Sequence, residues 1–403
     1  MLVLTVKRLD DTHKEAIKEV YRYSFPDISQ WDAAKWEDYF SSVDLPNSFG
    51  YFVDEEGLVS TLILIDFQLF IRGILMDVGG IAGVATLPKF RRQGHVTALM
   101  SEAITKMKND NQYVSALYPF KHSFYRTYGY EVFGEVKVVK SDPKNIVLPQ
   151  GFKPLKIREL SKDESFEKVK EIRVEVGSRY NLILYKDLTA WKLFGFRDED
   201  KIFVVEDGGK VVGYFIFRFK NLPSGEWDFS IDLREVIVSS EDALLTFLDF
   251  IKKHTDQIKE FWWPLLGDER IFDYFDNLWR IKMEMYPGAM FRLVDVEKAL
   301  QILDFPKHCD FSFSMKLYDE FAPWNEEPFY VEIKEGRAKV QRMSKFEEGV
   351  DLETDIHSFT QLFVGFRTVE ELATSYKMKV NPEVIPHLAK AFPKRTTRLI
   401  THF

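Results

Sequence analysis

The stretch Gly80-Ile81-Ala82-Gly83-Val84-Ala85-Thr86-Leu87-Pro88-Lys89-Phe90-Arg91-Arg92-Gln93-Gly94-His95-Val96 holds the residues whose types and spacing could do chemistry. A run of small and β-branched residues reads as a buried strand; it breaks at Pro88, passes a basic pair and a glycine, and enters a helix-period segment. That order builds an anion site. N–H groups of the loop and first helical turn have no intrahelical acceptor, the helix dipole adds partial positive charge, and Arg91 and Arg92 add whole charges. A diphosphate is the natural occupant. Gly94 lets phosphates approach the backbone with no Cβ in the way, and Val96, Leu99, Met100, Ala103, Ile104 and Met107 form the apolar stripe that anchors the helix.

The elements that must position this loop are legible on either side of it. Residues 2–7 read as a strand, and Asp11 or Thr12 as the cap of a helix running to Tyr23, with a second helix at 33–41. Strands at 51–53 and 58–70, a turn at Arg72-Gly73 and a strand from Ile74 lead into the loop. Beyond the helix come a strand at 113–118, a short helix at 120–127, a break at Gly129 and a strand at 130–139, ending in the linker Ser141-Asp142-Pro143-Lys144-Asn145.

At 403 residues the chain exceeds one ordinary core, so two or three domains are expected. The single cysteine, Cys309, excludes an internal disulfide framework and a cysteine-based zinc site, and reads as a small core residue. Eight scattered histidines with no metal-ligand spacing predict no catalytic metal. The net charge of −8 argues against general nucleic-acid binding and suits cationic substrates. No signal peptide is read at the amino-terminal end, and the stretch 58–70 is too short and too interrupted, by Asp66 and Gln68, to span a bilayer. A soluble, cytoplasmic protein is expected.

Arg91-x-x-Gly94-x-Val96 after a strand resembles the acyl-CoA loop of the GNAT N-acetyltransferases, and the element order from 2 to 139 is the GNAT order. Val96 stands where most members have a small residue; Eis-type (enhanced intracellular survival) members share that departure. A second unit starts at Leu155-Lys156-Ile157-Arg158-Glu159-Leu160 and repeats the topology, but its corresponding loop is Ser239-Ser240-Glu241-Asp242, whose carboxylates would repel a diphosphate. A third unit, with strands at 311–317, 329–333 and 338–342 and helices at 355–363, 369–376 and 382–392, resembles the sterol-carrier-protein-like domain that closes Eis-type enzymes. The fold class expected is therefore α+β: tandem GNAT-like domains, 1–145 and 150–291, the second without cofactor, then a sterol-carrier-like domain at 292–403.

The resemblance implies an acetyl-CoA-dependent transfer to primary amines by direct attack. Val84, Ala85 and Thr86 would hold the pantetheine arm through the backbone, Arg92, Gln93, Gly94, His95, Val96 and Thr97 the diphosphate, with Phe120 and Lys121 also against acetyl-CoA. Ser123-Phe124-Tyr125-Arg126-Thr127-Tyr128-Gly129-Tyr130 looks like the family's Tyr-x-x-aromatic-Gly-Tyr element, which makes Tyr125 the general acid for the departing thiolate. Phe403 matches the family's terminal phenylalanine, whose carboxylate serves as base; His402 departs from the carboxylate side chain of the best-known relatives. Ser24-Phe25-Pro26-Asp27 resembles the start of the substrate cavity, with Asp27 holding an acceptor ammonium and Trp36 lining the wall, against plain readings as a turn carboxylate and a core indole. Aminoglycoside-, polyamine- and lysine-like amines are all admitted as acceptors, and the family implies a homo-oligomer, the hexamer included. A longer-chain transfer, as in the protein N-myristoyltransferases, and a non-catalytic CoA- or lipid-binding module are the alternative functions.

Overall fold

The computed structural model describes residues 4–181, 183–184, 187–267, 269–344 and 349–397. The first unit runs β1 (Leu4–Arg8), α1 (Lys14–Ser24), α2 (Ala33–Ser42), β2 (Phe49–Val53), β3 (Gly57–Ile71), β4 (Ile74–Thr86), α3 (His95–Asn109), β5 (Val114–Leu117) and α4 (His122–Arg126). The cap at the start lies one residue before the expected pair: Asp10 accepts from the Thr12 N–H at 2.9 Å, and a short 3-10 turn precedes α1. Ile17, Val20 and Tyr21 then form the buried face of α1. β3 is buried along nearly its whole length because helices cover both sheet faces, which is why its sequence is a continuous apolar run. Arg72 (φ 54°) and Gly73 (φ 87°) close the β3–β4 hairpin in a two-residue turn whose positive φ values match strand twist.

The expected strand at 130–139 is two strands in two sheets. Glu131–Val132 stays with the first unit, whereas Glu135–Ser141 crosses over and pairs antiparallel with Glu260–Pro264 and Lys282–Pro287 of the second. In return Met290–Leu293 enters the first sheet between β5 and Glu131–Val132. Pairing has overridden chain order here, because a strand satisfies its backbone groups wherever a free edge lies. The second unit's sheet carries Lys210–Asn221 and Phe229–Val238 at its centre, with the helices α5 (Lys162–Gly177) and Glu241–Lys252 packed on it.

The third unit is a five-stranded sheet among the described residues, from Phe311–Tyr318 outward, with the helix Ile356–Phe363 laid against Met290–Leu293 and Glu131–Val132 of the first sheet. Buried residues of the first and third units join in one hydrophobic cluster that includes Phe133, Phe291, Phe359 and Leu362. Cys309 is buried there, as a small core residue. Among the described residues no helix is long and apolar enough to cross a membrane.

Candidate active site

β4 and β5 run parallel and pair only from Val78↔Val114 to Ile81↔Leu117. Beyond Ile81, β4 continues to Thr86 with β3 on one side and no strand of the described residues on the other, so the sheet opens into a V. The opening starts at a bulge. β3 and β4 lose register between Thr61↔Ala85 and Ile63↔Ala82, with Gly83 at φ 56° taking up the extra residue. Thr61 Oγ1 donates to the Gly83 carbonyl at 2.8 Å, and the Tyr21 hydroxyl fills the space that a side chain at 83 would need. Val84, Ala85 and Thr86 thus lie on the unpaired margin, where an amide-containing chain can pair as a strand would.

The loop after β4 has the backbone geometry to cradle an anion. Arg92 (φ 64°) and Gly94 (φ 84°) both take left-handed backbone after the extended Arg91, and no described residue accepts from the N–H groups of Arg92 through Thr97. A Cβ on Gly94 would meet nothing of the protein within 4 Å, so that side of the loop is open to a ligand. Arg91 Nε donates to the Thr86 carbonyl at 3.1 Å and Gln93 Nε2 to the Lys89 carbonyl at 3.1 Å, which hold the loop's shape. The Gln93 backbone N–H has no acceptor among the described residues. His95 is similar: its ring is buried and stacked on Tyr51 at 4.0 Å, and burial holds its pKa below the usual imidazole value, so it stays neutral and contributes its N–H group. Thr97 Oγ1 is hydrogen-bonded to the Tyr128 hydroxyl at 3.1 Å, tying α3 to the tyrosine segment.

Tyr125 lies in α4, buried against Phe124 and Phe120, and its hydroxyl makes no hydrogen bond with a described residue. Burial first, then the neighbouring Tyr130 and Tyr128, push its pKa well above that of an ordinary phenol. The phenol therefore stays protonated at neutral pH. Tyr130, by contrast, is bonded to Ser115 Oγ at 2.6 Å, and Ser115 to the Gly79 carbonyl at 2.7 Å, a structural pairing of the tyrosine segment with β4. Phe120 is 73% exposed and Lys121 is exposed beside it, so both are reachable from solvent at the end of β5.

Sequence reasoning missed what holds this segment. Arg292, fully buried, donates to the Tyr128 carbonyl through Nη1 and to Asp319 through Nη2 at 2.6 Å. Gly129, at φ 80°, must be glycine because a Cβ would come within 2.8 Å of that guanidinium. His357 Nε2 lies 2.8 Å from the Arg126 carbonyl and Gln361 Nε2 donates to the Val132 carbonyl at 2.7 Å, both from the third unit. Only the pattern of an arginine inside an apolar strand, Met290-Phe291-Arg292-Leu293, hinted at a buried charge.

The acceptor residues fall differently. Asp27 is exposed in a short 3-10 turn, with no ion-pair partner among the described residues. Trp36 is 2% exposed, packed among Tyr21, Trp31, Tyr39 and Phe40, with Nε1 unpartnered; it is a core indole of the aromatic layer beneath the V rather than an open wall. Tyr21 and Tyr39 share a hydrogen bond at 3.0 Å, and burial raises both hydroxyls, Tyr39 to about 12. Phe403 and His402 lie outside the described residues. The second unit's loop caps itself: Ser240 Oγ accepts from the Ala243 N–H at 3.3 Å, Glu241 and Asp242 occupy the first turn, and Glu241 takes the Tyr274 hydroxyl at 2.6 Å. Among the described residues no group of histidine, cysteine and carboxylate side chains is arranged to hold a metal.

A V-shaped sheet opening and a basic, N–H-lined loop at a helix start thus lie in the same unit as a buried tyrosine whose hydroxyl has no partner among the described residues. Sequence profiles of the GNAT acetyltransferase domain match residues 5–133 and 183–293, and that of the sterol carrier protein domain matches residues 296–399. The chain belongs to the GNAT acetyltransferases, enzymes that use acetyl-CoA as co-substrate, and carries two such domains followed by a sterol carrier protein domain. A search of curated proteins found no match. Three solved structures share the fold over all of this chain and all of their own. They are a GCN5-related N-acetyltransferase from Anabaena variabilis ATCC 29413 (19% identity, TM-score 0.87), a protein from Enterococcus faecalis V583 described as a probable N-acyltransferase (22%, 0.86), and Eis1 from Mycobacterium abscessus (17%, 0.79).

Proposed function

We propose that the first unit transfers an acetyl group from acetyl-CoA to a primary amine by direct attack in a ternary complex. The observation that carries this reading is a buried tyrosine, Tyr125, whose hydroxyl has no partner among the described residues and whose ring shares an apolar cluster with Val84 of the unpaired β4 margin. In it the diphosphate lies on the Arg92–Thr97 amides and the pantetheine pairs along Val84 to Thr86. The amine lone pair forms the C–N bond at the thioester carbon, the C–S bond breaks, and the departing sulfur takes the Tyr125 proton. A buried phenol is a weak acid, but the thiolate forms in the same desolvated space, where its own proton affinity is raised as well.

The ammonium proton goes to a base, which by family resemblance is the carboxylate of Phe403. Aminoglycoside-, polyamine- and lysine-like amines are the acceptor classes, with Asp27 drawing the cation toward the aromatic layer. The units 1–145, 150–291 and 292–403 divide the labour in this proposal: chemistry, scaffold, and placement of the tyrosine segment. A cytoplasmic homo-oligomer, a hexamer by resemblance, completes it. The test is thiol release from acetyl-CoA with a panel of amines. Release that depends on amine supports the proposal. Release only from long-chain thioesters would replace it with a longer acyl transfer, and CoA binding without any release would leave a binding module.

A further inference from the structure

A cavity of about 750 Å³ opens where the end of β5 faces the second unit's sheet. Its lining includes no residue of β4 or of the anion loop. Phe120 lines it from the first unit, and the same ring packs 5.7 Å from the Tyr125 ring. The opposite wall carries three arginines and two aspartates. Arg218 and Asp232 face each other across paired strands, Arg234 lies two residues further along the same face, and Arg197 projects from the adjoining turn.

The charges there are unequally satisfied. Asp232 is taken by Arg218 at 3.0 and 3.2 Å, and Arg218 is also paired with Glu199 at 2.9 Å. Asp200 accepts from the Arg197 backbone N–H at 2.7 Å. Arg234 donates to the Phe194 carbonyl at 3.1 Å and stands 4.0 Å from Asp200, but its Nε is buried with no acceptor. The Arg197 guanidinium has no ion-pair partner among the described residues. His122 lies across the cavity, with its Nε2 enclosed by protein and without a partner among the described residues. The Arg197 guanidinium, exposed and without an ion-pair partner among the described residues, thus lines a cavity that Arg218 and Arg234 also line, and an anion entering the cavity would supply it with a counter-charge.

We propose that this cavity is an oxoanion subsite, in which Arg197 and Arg234 hold a carboxylate or phosphate carried by the acyl acceptor. Planar guanidinium groups match such anions by paired N–H donors. The site would select, among amines, those that also bear an anionic group, such as a lysine peptide with a free carboxylate. Its placement beside Tyr125 rests on the acyl-transfer reading; the anion binding does not.

The test has two readouts. Calorimetric titration with inorganic phosphate should show a site in the wild type that Arg197→Gln and Arg234→Gln each weaken by at least about tenfold, with any phosphate at the Arg92–Thr97 loop common to all three proteins. Arg197 is exposed, so its variant folds even if Arg234→Gln does not. Equal phosphate binding in wild type and Arg197→Gln overturns the site whatever the protein's activity. Next, kcat/KM is compared for a lysine peptide ending in a free carboxylate and for its amide. A preference for the acid of at least about tenfold, abolished in Arg197→Gln while the amide rate is unchanged, supports an anion borne by the acceptor. Acid and amide used equally by the wild type would remove the acceptor from the proposal. If instead the variant weakens CoA but not dephospho-CoA, the anion is the 3′-phosphate of CoA, and the acceptor assignment falls.

Discussion

The Tyr21 hydroxyl occupies the place where a side chain on Gly83 would begin: a Cβ built there would lie 1.9 Å from the oxygen. Helix α1 and the β4 bulge are thereby locked together at the point where the sheet opens. Gly83→Ala must both sustain φ 56° and displace Tyr21 from Tyr39. A loss of about 1–3 kcal/mol in stability is expected, with weaker acetyl-CoA binding as the bulge shifts. Tyr21→Phe should recover part of the stability of Gly83→Ala, since it removes the clashing oxygen. Thermal unfolding of the single and double variants checks this.

Arg92→Glu should weaken CoA by about 2–4 kcal/mol, because a carboxylate replaces a cation beside the diphosphate. The protein should remain folded, since the Arg92 side chain is exposed. The change at the second unit's loop, Glu241→Gln, should leave CoA affinity as it was. Calorimetry on both variants decides whether one domain or two bind the cofactor.

Tyr125→Phe keeps the ring packing and removes the proton. Turnover is expected to fall by about 100-fold with CoA affinity unchanged. Because burial raises the folded pKa above the unfolded value near 10, the phenol stays protonated through neutral and mildly alkaline pH, and the ratio of wild-type to variant rates should be flat from pH 7 to about 9. The sign for stability follows: the unfolded chain loses this proton first, so the contribution is complete below the unfolded pKa and declines as pH rises from there toward the folded pKa. A rate ratio that collapses near neutrality would point to another donor.

Arg292→Met leaves the Asp319 carboxylate buried without its cation and releases the Tyr128 carbonyl. A loss of about 3–5 kcal/mol is expected, the scale for breaking a buried pair. Arg292→Met with Asp319→Leu should be less unstable than Arg292→Met alone, yet still slow, because the Gly129 turn and hence Tyr125 lose their clamp. Melting temperature and kcat measured together separate the two effects.

Extending the chain beyond Phe403 by two residues moves the proposed base away. Amine acetylation should then drop by at least about 100-fold with CoA binding retained. Equal rates for amino- and carboxyl-terminally tagged proteins, with tags verified by mass, would assign deprotonation elsewhere.

Local chemistry was readable in the residues themselves. The anion loop, its strand and helix, the Arg72-Gly73 turn and the self-capped acidic loop of the second unit are short-range features, set by glycine conformation, helix-end amides and apolar period within some twenty residues of chain. The order of units was legible for the same reason. What the tertiary structure alone decided is long-range pairing: that Glu135–Ser141 leaves the first sheet and Met290–Leu293 enters it, and that Arg292 and Asp319 clamp Gly129. It also made Trp36 a core indole and brought Arg197 and Arg234 opposite His122. Such partners are separated by up to about two hundred residues or more, and nothing in an isolated strand states which edge it will meet. The free energy of satisfying buried backbone and charged groups selects those partners, and it exists only once the sheets have formed.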